Sequence, residues 1–338
     1  MNARRPTRHV SVKDVAARSG VSFQTTSKVL NGGGSVSDVT RARIIQAASD
    51  LGYVPNLQAR SLVMQRTRTV GVITSDFSDH NLGRFIVGAE QEARRQGFTT
   101  VMTSIEPEGS LTEYALPAMM ERRVDGILLA TPQMEEDEAL AHVLDRSLPV
   151  VSLHGVPGGG VSTVGADDDL IGLLATRHLL EKGHRVIATV IGLPGRHATQ
   201  GRLRGYRKAL EDAGLAYDAE LVEEGRWEIA AAATATTRLF ERRPDITAVF
   251  AQSDTMAVGA LSALRGLGKQ VPADCAVVGC DDIDMAPYTT PPLTTIHVLF
   301  YETGAEAMRL LLDAIATGSL KPSRVILPVH LIVRASSG

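Results

Sequence analysis

The sequence predicts an all-α helix-turn-helix head in front of an α/β body of two parallel-sheet lobes. Three observations carry this prediction: a basic first stretch ahead of an acidic remainder, three successive helix-capping signals before Val54, and short β-rich runs alternating with helical patterns thereafter. At 338 residues the chain has material for more than one domain. The signals place the head at 1–54, a hinge helix and linker at 55–68, and the body at 69–338.

Net charge is −3, which alone argues against a nucleic-acid partner. Its distribution along the chain argues the other way. Up to Arg66 there are about ten Lys and Arg against about three Asp and Glu, roughly +7, leaving roughly −10 for the remainder. A basic front on an acidic body is the footprint of a nucleic-acid-binding head. A hydrophobic fraction of 44% with 4% aromatics fits a globular chain. Cys275 and Cys280 are too few for a disulfide framework and read as reduced and buried. The opening MNARRPTRHV has no apolar segment behind it and no run approaches a membrane-spanning length, so a cytoplasmic protein without membrane contact is expected.

In the head, Ser11 to Asp14 forms a capping box that opens a short helix with Val12, Val15 and Ala16 on one side, stopped by Gly20. Ser22 caps a second helix after a tight turn, and Asn31 with the following glycines ends it. Ser37 caps a third, in which Ile44, Ile45, Ala48 and Leu51 recur before Gly52. Two short helices joined by a glycine turn, with a third behind them, match helix-turn-helix architecture. In the second helix Val21, Val29 and Leu30 can face the core, which leaves Phe23, Gln24, Thr25, Ser27 and Lys28 outward.

Those outward residues suit a major-groove reader. Gln pairs bidentately with adenine N6 and N7, Lys reaches guanine O6 and N7, and the hydroxyls of Ser22, Thr25 and Ser27 bond phosphates or bases. An ordinary solvated helix is also polar, but it seldom sets an exposed Phe beside a Gln. The stretch from Pro55 to Leu62 starts another short helical run with Asn56 as N-cap. A helix of that length is marginal in water and needs a partner to hold it.

The body alternates TVGVIT, TTVMTS, DGILLA, PVVSLH, RVIATVIG, TAVFAQ and CAVVGC with helical patterns at 84–96, 170–182, 200–213, 255–267 and 302–316. Alternation at this spacing implies parallel sheets covered by helices, with ligands at the carboxyl ends of the strands. Ser75 and Asp76, Thr131, Ser253 and Asp254, and Asp281 and Asp282 all follow such strands, and Arg202 is expected at the start of a helix after IGLPG. A carboxylate opposite a guanidinium, with an aromatic such as Trp227 nearby, clamps sugar hydroxyls while covering a ring face.

KDVAARSGVS, TSKVLNGGGSVS, TRARI, LGYVPN and ARSL followed by TVGVI resemble segments of the lac repressor (LacI/GalR) family of bacterial transcription regulators. The likeness continues through DGILLATP, LEKGH, RLRGYRKAL, VFAQSDTMAVGAL, VVGCDDID and PPLTTI, and so covers nearly the whole chain. The resemblance implies a body of periplasmic-binding-protein type, with an effector bound between its lobes, and a homodimer on pseudo-palindromic double-stranded operator DNA. The DNA-contacting set it implies is Ser22, Phe23, Gln24, Thr25, Ser27, Lys28 and Asn31 in the head, with Asn56, Ala59 and Leu62 in a hinge that folds on DNA and wedges Leu62 into the minor groove. The expected effector set is Ser75 and Asp76 from their strand-end position, with Arg202, Trp227, Ser253 and Asp281 matched by the resemblance as well.

The chain departs from the family pattern in places. Thr26 stands where members carry an apolar residue, Lys28 where Arg is frequent, and Ser253 where many sugar-binding members have Asn. No leucine heptads follow LIVRASSG, so a dimer is expected and not a tetramer. Adjacent acids such as Asp281–Asp282 or Asp167–Asp168–Asp169 raise a glycoside-acting enzyme as an alternative, and a purine or phosphorylated co-repressor is another. No phosphate loop, metal-ligand spacing or nucleophile elbow appears, so no cofactor, metal or catalysis is expected.

Overall fold

Capping serines set out the head. Ser11 accepts from the Asp14 N–H, and the Asp14 carboxylate accepts from the Ser11 N–H at 2.8 Å, opening α1 (Val12–Ser19). Gly20, with φ 65°, ends it in the left-handed conformation that glycine adopts without a Cβ penalty. Ser22 and Ser37 cap α2 (Phe23–Leu30) and α3 (Asp38–Asp50). Val15, Val29, Ile44, Ala47 and Ala48 form the core of the head, with Val10, Val21, Leu30, Val36, Leu51 and Tyr53 packed against it. Ile45 corrects the expected stripe: it is 52% exposed, because successive helix residues project about 100° apart and Ile44 holds the buried direction.

The computed structural model describes residues 10–31, 33–54, 66–75, 80–105, 111–132, 135, 148–156, 160–318 and 321–338. The chain divides into two compact units, Met1–Thr67 and Arg68–Gly338. The expected hinge helix, with Asn56, Ala59 and Leu62, lies outside the described residues, as does Asp76.

The second unit holds two sheets. Its strands and helices run β1 (Thr69–Thr74), α4 (His80–Arg95), β2 (Thr99–Ser104), α5 (Leu116–Glu121), β3 (Gly126–Ala130), β4 (Val150–Ser152) and β5 (Ser162–Ala166). There follow α6 (Asp168–Glu181), β6 (Ile187–Ile191), α7 (His197–Asp212), β7 (Val222–Glu224), α8 (Ile229–Arg242), β8 (Ala248–Ala251), α9 (Asp254–Gly266), β9 (Ala276–Asp281) and β10 (Thr294–Val298). The last elements are α10 (Phe300–Thr317), β11 (Arg324–Leu327) and β12 (Val329–Ile332).

Among the described residues the first sheet has the order β11-β5-β4-β3-β1-β2 and the second β12-β10-β9-β8-β6-β7. Every strand pair is parallel except β10 with β12. The central strands are buried throughout, which is why GILLA and AVFA read as unbroken apolar runs and IATVI is interrupted only by Thr189. The chain passes between the lobes from β5 to α6, from β10 to α10, and through Pro328 from β11 to β12. Helix α10 thus returns to pack on α4 and the first sheet.

Two features of the second lobe bear on the site. Arg202 lies in the second turn of α7 and not at its start, because the helix begins at His197. Helices α6 and α7 touch backbone to backbone: a Cβ on Gly172 would meet the Arg202 carbonyl oxygen at 2.0 Å, and one on Gly205 the Asp169 carbonyl oxygen at 2.0 Å. That contact brings the acidic start of α6 against Arg202 and Arg204. Cys275 and Cys280 are buried free thiols, as expected, and burial pushes Cys275 up to about 12.

Candidate ligand cleft and nucleic-acid interface

Helix α2 has two faces. Val29 and Thr26 are buried, while Ser22, Gln24 and Lys28 are exposed and Phe23 keeps 49% of its surface in solvent. Thr25 and Ser27 sit between, half-buried. The Ser22 hydroxyl accepts from the Thr25 N–H at 3.2 Å and lies 2.9 Å from the Thr25 hydroxyl, so the helix start is held while both side chains keep capacity for a further partner. Asn31 caps the far end, its N–H donating to the Ser27 carbonyl at 3.1 Å. Thr26 is fully buried and its Oγ1 has no hydrogen-bond partner. It occupies the packing side, where a hydroxyl gains nothing.

In the body, Arg202 of α7 is buried among groups of the second lobe, with 8% exposure. Its Nε donates to Asp168 Oδ1 at 3.0 Å, its Nη1 donates to the Gln252 carbonyl, and the same Nη1 lies 3.9 Å from Asp281 Oδ1. Burial alone would lower the guanidinium pKa, but the surrounding acids outweigh it and the pKa is raised. The guanidinium carbon stands 5.5 Å from the centroid of the Trp227 ring, a cation–π distance. Trp227 itself has φ 66° and leads into α8, and its indole packs on Gly192 at the end of β6.

Asp281 ends β9 with 4% exposure and φ 117°. Its Oδ2 accepts from Asn81 Nδ2 at 2.9 Å, so a carboxylate of the second lobe meets the first turn of α4 in the first. Asn81 Oδ1 is buried with no partner, as are Thr74 Oγ1 at the end of β1, His154 Nε2 after β4 and Thr199 Oγ1 in the first turn of α7. Buried polar atoms of this kind call for a partner, and a polyhydroxylated ligand supplies donors and acceptors together. Ser75 follows β1, half-buried. Ser253 caps α9, its Oγ accepting from the Met256 N–H at 3.1 Å, which leaves its hydroxyl proton to be donated elsewhere.

A second bridge between the lobes was not legible in the sequence. Glu135 Oε2 accepts from the His197 N–H at 2.8 Å, and its Oε1 lies 3.4 Å from His197 Nδ1 and 3.6 Å from His154 Nδ1. Arg196 adds a hydrogen bond to the Pro132 carbonyl at 2.8 Å. The His197 ring rests on Gly155, where a Cβ would come within 2.8 Å of Nδ1.

The acid runs that suggested catalysis have other occupations. Asp167 caps α6 through the Leu170 N–H, Asp168 pairs with Arg202, and Asp169 makes two 2.8 Å bonds to Arg204. Asp282 binds His297 Nδ1 at 2.9 Å and Arg334 Nη2 at 2.6 Å. Among the described residues no group of three or more His, Cys, Asp or Glu is placed to hold a metal ion, and no helix is long and apolar enough to cross a membrane.

Residues 11–56 match the family of bacterial regulatory proteins described as the lacI family, and residues 176–337 match a periplasmic binding protein-like domain. The HTH-type transcriptional regulator CelR of Thermobifida fusca is 38% identical over 342 residues, covering 98% of each chain. A solved transcriptional regulator CelR–cellobiose complex is 37% identical, with a TM-score of 0.74 over 97% of this chain and 100% of that one. The lac repressor dimer bound to operator and the anti-inducer ONPF gives a TM-score of 0.88 at 28% identity, covering 98% and 99%.

Proposed function

The chain belongs to the lacI family of bacterial regulatory proteins, and from that membership we propose a cytoplasmic transcriptional repressor whose hold on operator DNA is set by a sugar bound between the two body lobes. Two heads of a homodimer present α2 to successive major grooves of a pseudo-palindromic operator, with Phe23, Gln24 and Lys28 toward base edges and Ser22, Thr25, Ser27 and Asn31 toward phosphates and flanking bases. The segment 55–68 joins head to body, and Asn56, Ala59 and Leu62 act in the minor groove.

The observation that carries the effector reading is the set Arg202, Asp281 and Trp227, converging where Asn81 of the opposite lobe leaves a buried oxygen unpaired. A guanidinium and a carboxylate bind adjacent hydroxyls, and the indole covers the apolar face of a pyranose. Ser75, Asp76 and Ser253 complete the strand-end contacts. Regulation follows if the sugar binds one lobe arrangement more tightly than the other, a coupling of about 1 to 3 kcal/mol in ordinary allosteric systems. Equal affinity for both arrangements would shift nothing.

The test is a thermal-shift and Trp227-emission screen of the full chain against cellobiose, other mono- and disaccharides, and purine bases, followed by operator binding with each hit. A saccharide that raises the melting temperature and changes operator affinity is the expected result. A response to purines alone would overturn the sugar assignment, and operator binding indifferent to every hit would overturn the coupling.

A further inference from the structure

Strand β9 leaves its sheet through two consecutive non-glycine residues with positive φ, Asp281 at 117° and Asp282 at 56°. L-residues avoid this region, and such a turn persists only where its surroundings over-determine it. The surroundings are specific. The Asp282 N–H donates to Thr295 Oγ1 at 3.3 Å, and the Thr295 hydroxyl donates to Asp254 Oδ1 at 2.6 Å. The Ile283 N–H donates to Asp254 Oδ2 at 3.0 Å. Both backbone amides that follow Asp281 therefore end, directly or through one hydroxyl, on a single carboxyl group.

That carboxyl is fully buried. Room for it exists because residue 279 is glycine: a Cβ there would stand 2.2 Å from Asp254 Oδ1. The plain alternative is an acid in the first turn of α9, favoured by the helix dipole. Such an acid stays at the surface, beside the amides of its own helix, whereas Asp254 turns away to a neighbouring strand and the loop beyond it. Its partners are a hydroxyl and an amide, neither of them charged. Burial first, and then the charge of Asp281, push its pKa well above the ordinary carboxylate value.

We propose that Asp254 is the positioning residue of the ligand cleft, a buried carboxyl that fastens the turn 281–283 and so fixes the direction in which Asp281 meets Arg202 and Asn81. The functional weight of this inference rests on the reading of Asp281 as an effector contact. The geometry does not, and the two are tested apart.

The experiment uses the ligand-free full chain. Trp227 is its single tryptophan and stands beside Arg202, so emission and acrylamide quenching report the arrangement that Asp281 helps to hold. Asp254→Asn keeps an acceptor for the Ile283 N–H and an amide group that can donate to the Thr295 hydroxyl. It is expected to retain the parent emission and quenching. Asp254→Ala is expected to change both, with Asp281 out of hydrogen-bond reach of Asn81 in its crystal structure. If the Ala variant does not fold, Thr295→Val removes the bridging hydroxyl and is expected to change the same signals. Unchanged signals and an unmoved Asp281 in the Ala or Val variant, or an Asn variant disturbed as much as Ala, would overturn the proposal. Cellobiose titration of Asp281→Ala addresses the effector contact separately, and its outcome leaves the fluorescence result standing.

Discussion

The indole of Trp227 lies so close over Gly192 that a β-carbon there would stand 2.0 Å from both Cε2 and Cζ2. The glycine is required for space and not for its dihedral angles, and the ring position over Arg202 depends on it. Gly192→Ala must move the ring or the strand end, an overpacking cost of about 1 to 3 kcal/mol. The expected outcome is a shift in the emission of the single tryptophan and a loss of roughly tenfold in sugar affinity, the equivalent of about 1.4 kcal/mol. Unaltered emission would mean that the indole does not rest on this strand end.

Arg202 is a cation that Asp168 and Asp281 share. Removing it takes that counter-charge from two acidic groups in a buried region, and breaking a buried pair costs about 3 to 5 kcal/mol. Arg202→Ala is expected to lower the urea midpoint of the body and to abolish the effector response. Arg202→Lys should restore neither fully, since an ammonium cannot reach Asp168 and the Gln252 carbonyl with a planar fork. An intact effector response in the Ala variant would remove Arg202 from the cleft assignment.

Gln24 is exposed in the first turn of α2, where a recognition helix contacts base edges. Gln24→Ala is expected to cost about 1 to 3 kcal/mol on the best operator and to relax preference at one base pair. Selection from random DNA is the measurement. A sequence profile identical to the parent's would take Gln24 out of base reading.

How far the sequence carried these assignments depended on the distance over which each contact is made. The faces of α2 were legible because helical periodicity is local: Val29 packs, and Phe23, Gln24 and Lys28 do not. Arg202, Trp227 and Asp281 came from strand-end logic joined to a family resemblance. Asn81 was missed because it meets Asp281 across 200 positions, and nothing in HNLGRF marks that asparagine. Glu135, His154 and His197 were missed for the same reason, since only the lobe arrangement assembles them. Strands β5 and β11 escaped because STVGA and RVIL are short, and β11 is only half-buried at the sheet edge. Helix α8 was missed although Ala232, Ala235, Leu239 and Phe240 form its buried stripe, because half of that stripe is alanine and merges with the alanines on its other side.

Thr26 is the odd residue on the packing side of α2, fully buried with an unpartnered Oγ1. A buried hydroxyl without a partner costs about 1 to 3 kcal/mol. Valine has the same β-branched shape without the polar atom. Thr26→Val is therefore expected to stabilise the head by about 1 kcal/mol, read as slower hydrogen exchange at the core amides of α1 to α3. A faster exchange would show that the hydroxyl has found a partner such as a buried water.

Glu135 ties the first lobe to the second through His197, with His154 on its other side. Burial opposes its charge, but the neighbouring His154 ring and the hydrogen bond from the His197 N–H prevail, and its pKa falls below the ordinary glutamate value. A carboxylate with a depressed folded-state pKa binds its proton more readily when unfolded, so its contribution is full above the unfolded value and is lost as the pH falls through the folded one. Glu135→Gln removes the charge while keeping the shape, and hydrogen bonds to a charged group are worth about 1.5 to 3 kcal/mol. At neutral pH the parent is expected to unfold at the higher temperature. As the pH is lowered through the ordinary carboxylate range and beneath it, the two melting temperatures should converge, because the parent's own carboxylate then takes up a proton. A gap between parent and variant that stays constant across that range would show that Glu135 is held by shape alone and not by its charge. The same pair of proteins, compared in operator binding with and without a sugar that binds the cleft, would reveal whether loosening this bridge shifts the balance between the lobe arrangements. An operator affinity changed already in the ligand-free protein, together with an altered effector response, is the expected signature of a bridge that acts on the equilibrium between the arrangements.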